Sequence, residues 1–284
     1  MTARAEPRSG RALLLVLPAL LPVLVVVGAA LVSAVLLSLG LTPLVGVPRL
    51  SLDAWRAAAP DLGTSTRLSL AIAAGSTAVA AAVGLALALA TTAAVRRSRL
   101  LATLSALTVP VPHLVGAAGM GLLLADAGFL PRLLGIAPGD WPALVGGRWW
   151  VAVGAEYAWK ESAFIALVVA GVLSTRAASY AETAALLGAG RWARFRHVTL
   201  PLAAPALASA AAVSFVYTLG SYEVAALLGR PYPEPLPVIA VRLFTSIDLA
   251  ARPQAAAVAV TTSVLGLVVV LASLRFLRRL AAEQ

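Results

Sequence analysis

Six long apolar stretches, separated by short segments of polar residues and proline, run through this 284-residue sequence. A helix that crosses a membrane needs about 20 mostly apolar residues. The stretches that meet this requirement are 13–38, 67–94, 101–125, 151–174, 204–228 and 254–274. Charged residues interrupt two of them, with Glu156, Lys160 and Glu161 in the fourth and Glu223 in the fifth. The pattern predicts an all-α, polytopic bundle of six transmembrane helices.

Composition supports a membrane protein and excludes several kinds of site. Hydrophobic residues make up 61% of the chain and charged residues 12%, whereas soluble domains carry about 45–50% and about 25%. The absence of cysteine excludes disulfides, cysteine-ligated zinc or iron–sulfur centres and a thiol nucleophile. Two histidines, His113 and His197, are too few for a histidine-rich metal site. We therefore expect membrane lipid around the chain and no metal or cofactor.

The basic residues orient the predicted bundle. Thirteen of the 22 lysines and arginines precede the first stretch or follow the second, fourth and sixth, so these segments are expected in the cytoplasm. Both termini are then cytoplasmic, in a multi-pass protein of the cell (inner) membrane. The predicted organisation is a tail at 1–12, a first helix and outer loop at 13–62, a transmembrane domain at 63–279 with a cytoplasmic loop at 176–203, and a tail at 280–284.

Two further expectations concern the ends of this bundle. The first apolar stretch is far longer than the 7–15 residues of a signal-peptide core, which predicts a retained helix. The segment 231–253 predicts an extended run and then a short amphipathic helix at the outer surface. The net charge of +10 lies in short clusters between apolar runs, without a basic face interleaved with aromatic residues, so we expect no nucleic-acid partner.

The sequence lacks the motifs of the common catalytic sites. It has no G-x-x-x-x-G-K-[ST], no H-E-x-x-H and no G-x-S-x-G segment, so no catalytic, cofactor-binding or metal-binding residue is expected. Glu156 and Lys160 are four residues apart and predict an ion pair on one helix face, with a polar lining of a transport path as the alternative. The chain is not expected to be an enzyme.

The cytoplasmic loop carries most of the local signals. Ser179 and Glu182 have the spacing of a capping box, which predicts a short helix from Tyr180 to Leu187. Gly188 and Gly190 would end it, because glycine adopts the left-handed conformation at helix ends. A second short helix over 192–197 is predicted next, and Pro201 and Pro205 would open the fifth span. Two short helices joined by glycines make a compact knob suited to docking.

The same loop carries a family resemblance. Its residues fit the pattern E-x-A-x-x-x-G-x9-[IV]-x-L-P at Glu182, Ala184, Gly188, Val198, Leu200 and Pro201. This resembles the EAA loop of permease subunits of binding-protein-dependent ABC importers of the type I, MetI-like fold. Thr183 replaces the alanine that usually follows the glutamate. The pair Trp159-Lys160 is similar to a tryptophan-containing segment common in these permeases.

The resemblance implies a mechanical function. The helix around Glu182 would insert into a groove of a separate ABC ATP-binding subunit, and Gly188 would supply the tight turn. A simple helix cap is the alternative for Glu182. The coupling loop would comprise Glu182, Ala184, Gly188, Gly190, Val198, Leu200 and Pro201. Further implied partners are a second permease subunit, the same chain or a different one, and an extracytoplasmic substrate-binding protein.

The substrate is less defined. The segment 220–229 resembles that of polyamine-type permeases, so the expected cargo is a small solute of the polyamine, thiamine, sulfate or iron group. Glu223, Tyr222 and Lys160 are candidates for the translocation path or a gate, and a solvated helix end is the alternative for Glu223. An ion-coupled secondary carrier and a membrane-embedded enzyme are the rival classes, which would need an intramembrane relay or a polar constellation at one depth.

Overall fold

The computed structural model of the chain describes residues 9–92, 102–103 and 105–282. These residues form an all-α fold. The helices are α1 (Ser9–Ser38), α2 (Asp53–Thr92), α3 (His113–Leu124), α4 (Phe129–Leu133), α5 (Val151–Leu186), α6 (Arg191–Arg194), α7 (Leu200–Gly220), α8 (Glu223–Leu228), α9 (Leu236–Phe244) and α10 (Arg252–Ala282).

Six helical stretches are long and apolar enough to cross a membrane, which confirms the number of spans. They are Leu15–Ser38, Asp53–Thr92, His113–Leu133, Val151–Ser174, Arg191–Gly220 and Leu249–Arg279. The second helix begins at Asp53, inside the segment predicted as outer loop. The predicted amphipathic helix between the last two spans is present as α9.

The centre of the bundle is the packing of α5 against α2 and α7. The face of α2 that packs inward carries small residues, which let two helix backbones approach closely in a membrane. The two helices are in close contact at Gly84, because a Cβ there would lie 2.8 Å from Ile165 Cγ2 and 2.9 Å from the Ser162 carbonyl oxygen. Ile165 and Val169 of α5 complete this core, both fully buried.

The third span is not the continuous helix predicted over 101–125. Residues 105–108 are helical, 109–112 form a turn, and α3 starts afresh at His113. Pro110 and Pro112 explain the break, because proline lacks the backbone N–H that a helix interior needs. The prediction of one unbroken helix here is wrong. Residues 101 and 104 lie outside the described part of the chain.

The fourth span continues far beyond its predicted end at residue 174. Helix α5 runs without interruption from Val151 to Leu186, so the separate short helix predicted over 180–187 is wrong, and Ser179 lies inside a helix instead of capping one. No glycine or proline stands between Ser174 and Gly188, and nothing in this segment breaks the helix.

The fifth span also differs from its prediction. The helix predicted over 192–197 does not end there, because α6 passes through a π-helical turn, Phe195–Thr199, directly into α7. At its other end the predicted span 204–228 is broken. Helix α7 ends at Gly220, Ser221 has extended backbone, and the short helix α8 follows.

Candidate functional site

Two parts of the bundle carry the residues singled out from the sequence: the turn between α5 and α6, and a polar cluster inside the spans. The first, the 183–194 turn, is closed by Gly188, which has a φ of +82°. The Gly188 N–H donates to the Ala185 carbonyl at 3.0 Å, and the Ala189 N–H donates to the Ala184 carbonyl at 2.9 Å. This is the hydrogen-bond pattern of a Schellman motif with glycine in its left-handed position.

Gly190 then starts the next helix. Its backbone is extended, and its carbonyl accepts the N–H of Arg194 at 3.0 Å. Gly188 and Gly190 together reverse the chain within four residues of the end of α5. The predicted role of Gly188 in ending a helix therefore agrees with the local backbone, whereas Gly190 caps the start of the next helix instead of ending one.

The 183–194 turn presents large apolar side chains to its surroundings. Leu186 is 89% exposed, Leu187 84% and Trp192 69%. The Trp192 ring lies 5.4 Å from the ring of Phe195, centroid to centroid, so Trp192 packs against the first residue of the π-helical turn. Large exposed apolar side chains grouped on one turn are typical of an interaction surface.

The remaining residues of the EAA-like pattern lie around this turn. Glu182 is in the last two turns of α5, and its side chain lies outside what the structure describes. Val198 and Leu200 are half-buried at the π-helical turn and the start of α7, and Pro201 is exposed in the first turn of α7. The pattern thus occupies one end of the bundle, where α5 and α7 meet.

The second part, the polar cluster, consists of His113, Glu156, Lys160 and Glu161. The Nδ1 atom of His113 lies 3.2 and 3.3 Å from the two carboxylate oxygens of Glu156, and its Nε2 lies 3.6 Å from Glu161 Oε1. The Glu156 carboxylate is wholly buried. A protonated imidazole donates toward both carboxylates, whereas a neutral ring donates toward one only.

Lys160 joins the cluster to the break in the third span. Its Nζ donates to the carbonyl oxygens of Thr108 at 2.7 Å, Val109 at 3.3 Å, and Val111. A helix that ends inside a membrane leaves backbone carbonyls that must find donors. Lys160 supplies those donors, so the ammonium group stabilises the turn that the prolines create.

This geometry corrects the predicted ion pair between Glu156 and Lys160. Among the described residues the lysine is held by backbone carbonyls, and Glu156 is paired with His113. The two side chains are four apart on α5, but the helix break and His113 offer each a nearer partner. The spacing rule considered one helix alone and could not include these groups.

A cavity of about 230 Å³ opens beside the cluster. It is lined by Val109, His113, Lys160, Glu161, Phe164, Val213 and Tyr217. Glu161 also accepts a hydrogen bond from Ser214 of α7 at 2.5 Å, which ties α5 to α7. The His113 ring lies 4.7 Å from that of Tyr217, centroid to centroid. Ionisable groups at such a position within spans are expensive to bury and mark functional sites.

Only one of the three predicted path residues lines this cavity. Lys160 does, whereas Tyr222 and Glu223 lie at the start of α8, beyond the break at Ser221. Sequence reasoning missed His113 and Ser214 as members of the site. The signal for His113 was its position in an apolar stretch directly after Pro112, because an ionisable side chain within a span needs a partner.

Comparison with known proteins identifies the class to which this arrangement belongs. A family model described as "Binding-protein-dependent transport system inner membrane component" matches residues 82–282. The match covers most of the chain, including the polar cluster and the 183–194 turn. The chain belongs to this family, the permease subunits of ABC importers, and is a multi-pass inner-membrane protein.

The curated relatives of this chain are permease proteins of several differently named transport systems. The inner membrane ABC transporter permease protein YnjC of Escherichia coli K12 is 33% identical over 140 residues, which is 49% of this chain and 26% of YnjC. ModB of the molybdenum transport system of Azotobacter vinelandii is 35% identical over 74 residues, 26% of this chain and 33% of ModB. CysT of the E. coli K12 sulfate transport system is 29% identical over 110 residues, which is 39% of this chain and 40% of CysT.

Solved structures share the fold. A bacterial ABC transporter involved in the import of the acidic polysaccharide alginate superposes with a TM-score of 0.74 at 18% identity, over 96% of both chains. An amino acid ABC transporter superposes with a TM-score of 0.59 at 17% identity, over 81% of this chain and 99% of the other. The matched segments span about a quarter to two fifths of the first curated relatives, so substrate and partners are treated below as proposals.

Proposed function

We propose that this permease couples the movement of its spans to ATP hydrolysis by a separate ABC ATP-binding subunit, through the 183–194 turn. The observation that carries the proposal is the exposed apolar surface of Leu186, Leu187 and Trp192 on a turn whose geometry depends on Gly188. Large apolar side chains at the end of a helix are suited to insertion into a hydrophobic groove of a partner.

The continuous helix α5 gives the turn a direct mechanical link to the polar cluster. At about 1.5 Å per residue, Lys160 and Leu186 are about 39 Å apart along one helix. A displacement of the turn therefore reaches Lys160, which holds the break in the third span, and Glu161, which holds α7. Such rigid-body movement between packed helices is a common way to switch between two states.

The cluster and its cavity form the proposed gate on the translocation path. His113, Lys160 and Glu161 each connect α5 to another span or to the turn before it. A shift of α5 by one or two ångströms would change these polar contacts and the 230 Å³ cavity together. Tyr222 and Glu223 remain candidates for a second narrow point, near the break between α7 and α8.

The proposed cargo is a small charged solute delivered by an extracytoplasmic binding protein. The candidate substrates remain those of the polyamine, thiamine, sulfate or iron group. Relatives named for sulfate, molybdenum and 2-aminoethylphosphonate transport support a small ionic solute. A neighbouring solved structure is described as a complex with a periplasmic protein, which supports a binding protein as partner. A second permease subunit completes the proposed pore, and both termini face the cytoplasm.

Co-purification with the ABC ATP-binding subunit of the same transport system tests the proposal. Leu186→Ser removes an exposed apolar side chain from the turn and should reduce recovery of the ATPase about tenfold, since interface anchors are worth about 1–2 kcal/mol or more. Phe276→Ser is the matched control, because Phe276 is 54% exposed at the end of α10. Equal recovery with both variants would refute docking through the turn.

A further inference from the structure

The end of the bundle that the arginine distribution predicts to face outward contains an apolar crevice with a basic residue in its lining. A cavity of about 390 Å³ lies between the last turns of α1, helix α9 and the first turns of α10. Its walls include the small side chains of Ser33, Ala34, Ala240, Ala255, Ala256 and Ala259. This volume is within the range of about 300–1,000 Å³ that is typical of ligand pockets.

Arg252 lines the crevice and is poorly satisfied by the protein. Its guanidinium lies over the Phe244 ring, 4.7 Å from the centroid. Its Nε is buried and, within the described part of the chain, has no hydrogen-bond acceptor, and no carboxylate there forms an ion pair with it. By contrast, Arg242 of α9 is paired with Glu234 at 2.8 Å. A half-buried guanidinium with an unpaired Nε and no counter-ion among the described residues favours an anionic ligand.

The position of the crevice restricts what that ligand can be. It lies at one end of two spanning helices, where Ser33 and Ala34 are close to the end of α1 and Arg252 begins α10. Exposed apolar side chains of α1, including Val32 and Val35, flank it. A ligand there meets hydrocarbon along its length and a cation at the membrane surface.

We propose that this crevice is a binding site for an anionic phospholipid. One acyl chain lies among the alanines, and the phosphodiester accepts hydrogen bonds from Arg252. Basic pockets between transmembrane helices are suited to anionic headgroups for the same physical reasons. The bound lipid would hold α1 against α10, the helix through which α1 mainly contacts the bundle. This site does not depend on the coupling role of the 183–194 turn.

Native mass spectrometry of the intact permease complex, released from nanodiscs that contain phosphatidylcholine and phosphatidylglycerol, tests the site. Wild type should retain phosphatidylglycerol, and Arg252→Gln should retain about fivefold less. Arg252→Lys should restore most of the retention. Arg242→Gln is the matched control and should behave as wild type, because that arginine is paired with Glu234 and does not line the crevice.

A second variant separates the acyl chain from the headgroup. Ala259→Leu fills the crevice without touching the charge, and it should reduce both lipid retention and photo-crosslinking from a diazirine in the acyl chain. Equal phosphatidylglycerol retention by wild type and Arg252→Gln would overturn the proposal. So would displacement by inorganic phosphate alone, which would indicate a free-anion site, or crosslinking of the crevice to another subunit in place of lipid.

Discussion

Lys160 of α5 stabilises the break in the third span through hydrogen bonds to backbone carbonyls. Three backbone carbonyls beside the Pro110–Pro112 break depend on its ammonium group, and two carboxylates of the cluster lie one residue and one turn away on α5. The side chain is nearly buried, at 5% exposure of the residue. Removing the charge would take the ammonium donor away from all three carbonyls inside an apolar environment, where the loss of a partner is expensive. The Thr108 carbonyl would keep the Val111 N–H, at 3.3 Å.

Lys160→Met should therefore lower the free energy of unfolding by about 1–3 kcal/mol, the usual range for a buried polar group left unpaired. Lys160→Arg keeps donors and charge and should be affected less. The measurement is thermal unfolding of the purified permease in one detergent, with uptake measured in parallel. If the methionine variant matches wild type in both, Lys160 does not hold the turn.

The helix pair α2 and α5 is the central element of the bundle. Its close approach at Gly84 leaves no space for a methyl group, because Ile165 and the Ser162 carbonyl already lie within contact distance of the point that a Cβ would occupy. Ala80 and Ala88 of α2 belong to the same buried cluster as Ile165 and Val169 of α5. The pair is held by close packing rather than by large side chains.

Gly84→Ala should lower the free energy of unfolding by about 1–3 kcal/mol, because overpacking forces two backbones apart. Gly75→Ala on the same helix is the matched control. A Cβ at Gly75 meets nothing within 4 Å among the described residues, so the helix propensity of alanine should leave stability unchanged or slightly raised. Equal unfolding temperatures for both variants would mean that the interface at Gly84 can relax.

At the scale of the whole molecule, the six spans divide the chain into segments on alternating sides of the membrane. The arginine distribution predicts both termini inside, which places the 183–194 turn in the cytoplasm with the proposed ATPase. The polar cluster then lies in the spans, and the crevice at Arg252 lies at the outer surface.

Reporter fusions after residues 99, 142, 194 and 242 should report inside, outside, inside and outside, because positive charge retains the flanking segments in the cytoplasm. The readout is a pair of reporters, one active on each side of the membrane. A cytoplasmic signal at residue 142 would contradict this orientation and remove the turn from the ATPase.

The sequence predicted the number of spans well because each contains a long and mostly apolar run, a property of local composition. It predicted the glycine turn because Gly188 needs only a local backbone conformation. The prediction was wrong at the third span, because Pro110 and Pro112 break a helix that hydropathy alone predicts as continuous. It was also wrong at Ser179, because the helix α5 continues through the residues that have the spacing of a capping box.

The polar cluster could not be predicted from spacing alone. Lys160 binds carbonyls about 50 residues earlier in the chain, and Glu161 meets Ser214 from another span. Such contacts depend on how the helices pack, and pairing within one helix is only one of the alternatives available to each charge. His113 was overlooked for the same reason, since its partners come from α5.

Gly188 offers the most direct test of the central claim that the 183–194 turn couples this chain to an ATPase. Its φ of +82° lies in the left-handed region, which costs a residue with a Cβ about 1–2 kcal/mol and a β-branched one more. Asparagine tolerates this conformation and valine does not. Within the described part of the chain no atom would clash with a Cβ at this position, so the two variants differ mainly in backbone preference.

The measurement is substrate-stimulated ATP hydrolysis by the complete transporter, reconstituted with its ATP-binding subunit and binding protein. Gly188→Val should reduce the stimulation about tenfold or more while Gly188→Asn stays near wild type, since 1.4 kcal/mol corresponds to a factor of ten. Wild-type stimulation in the Gly188→Val complex would contradict coupling through this turn.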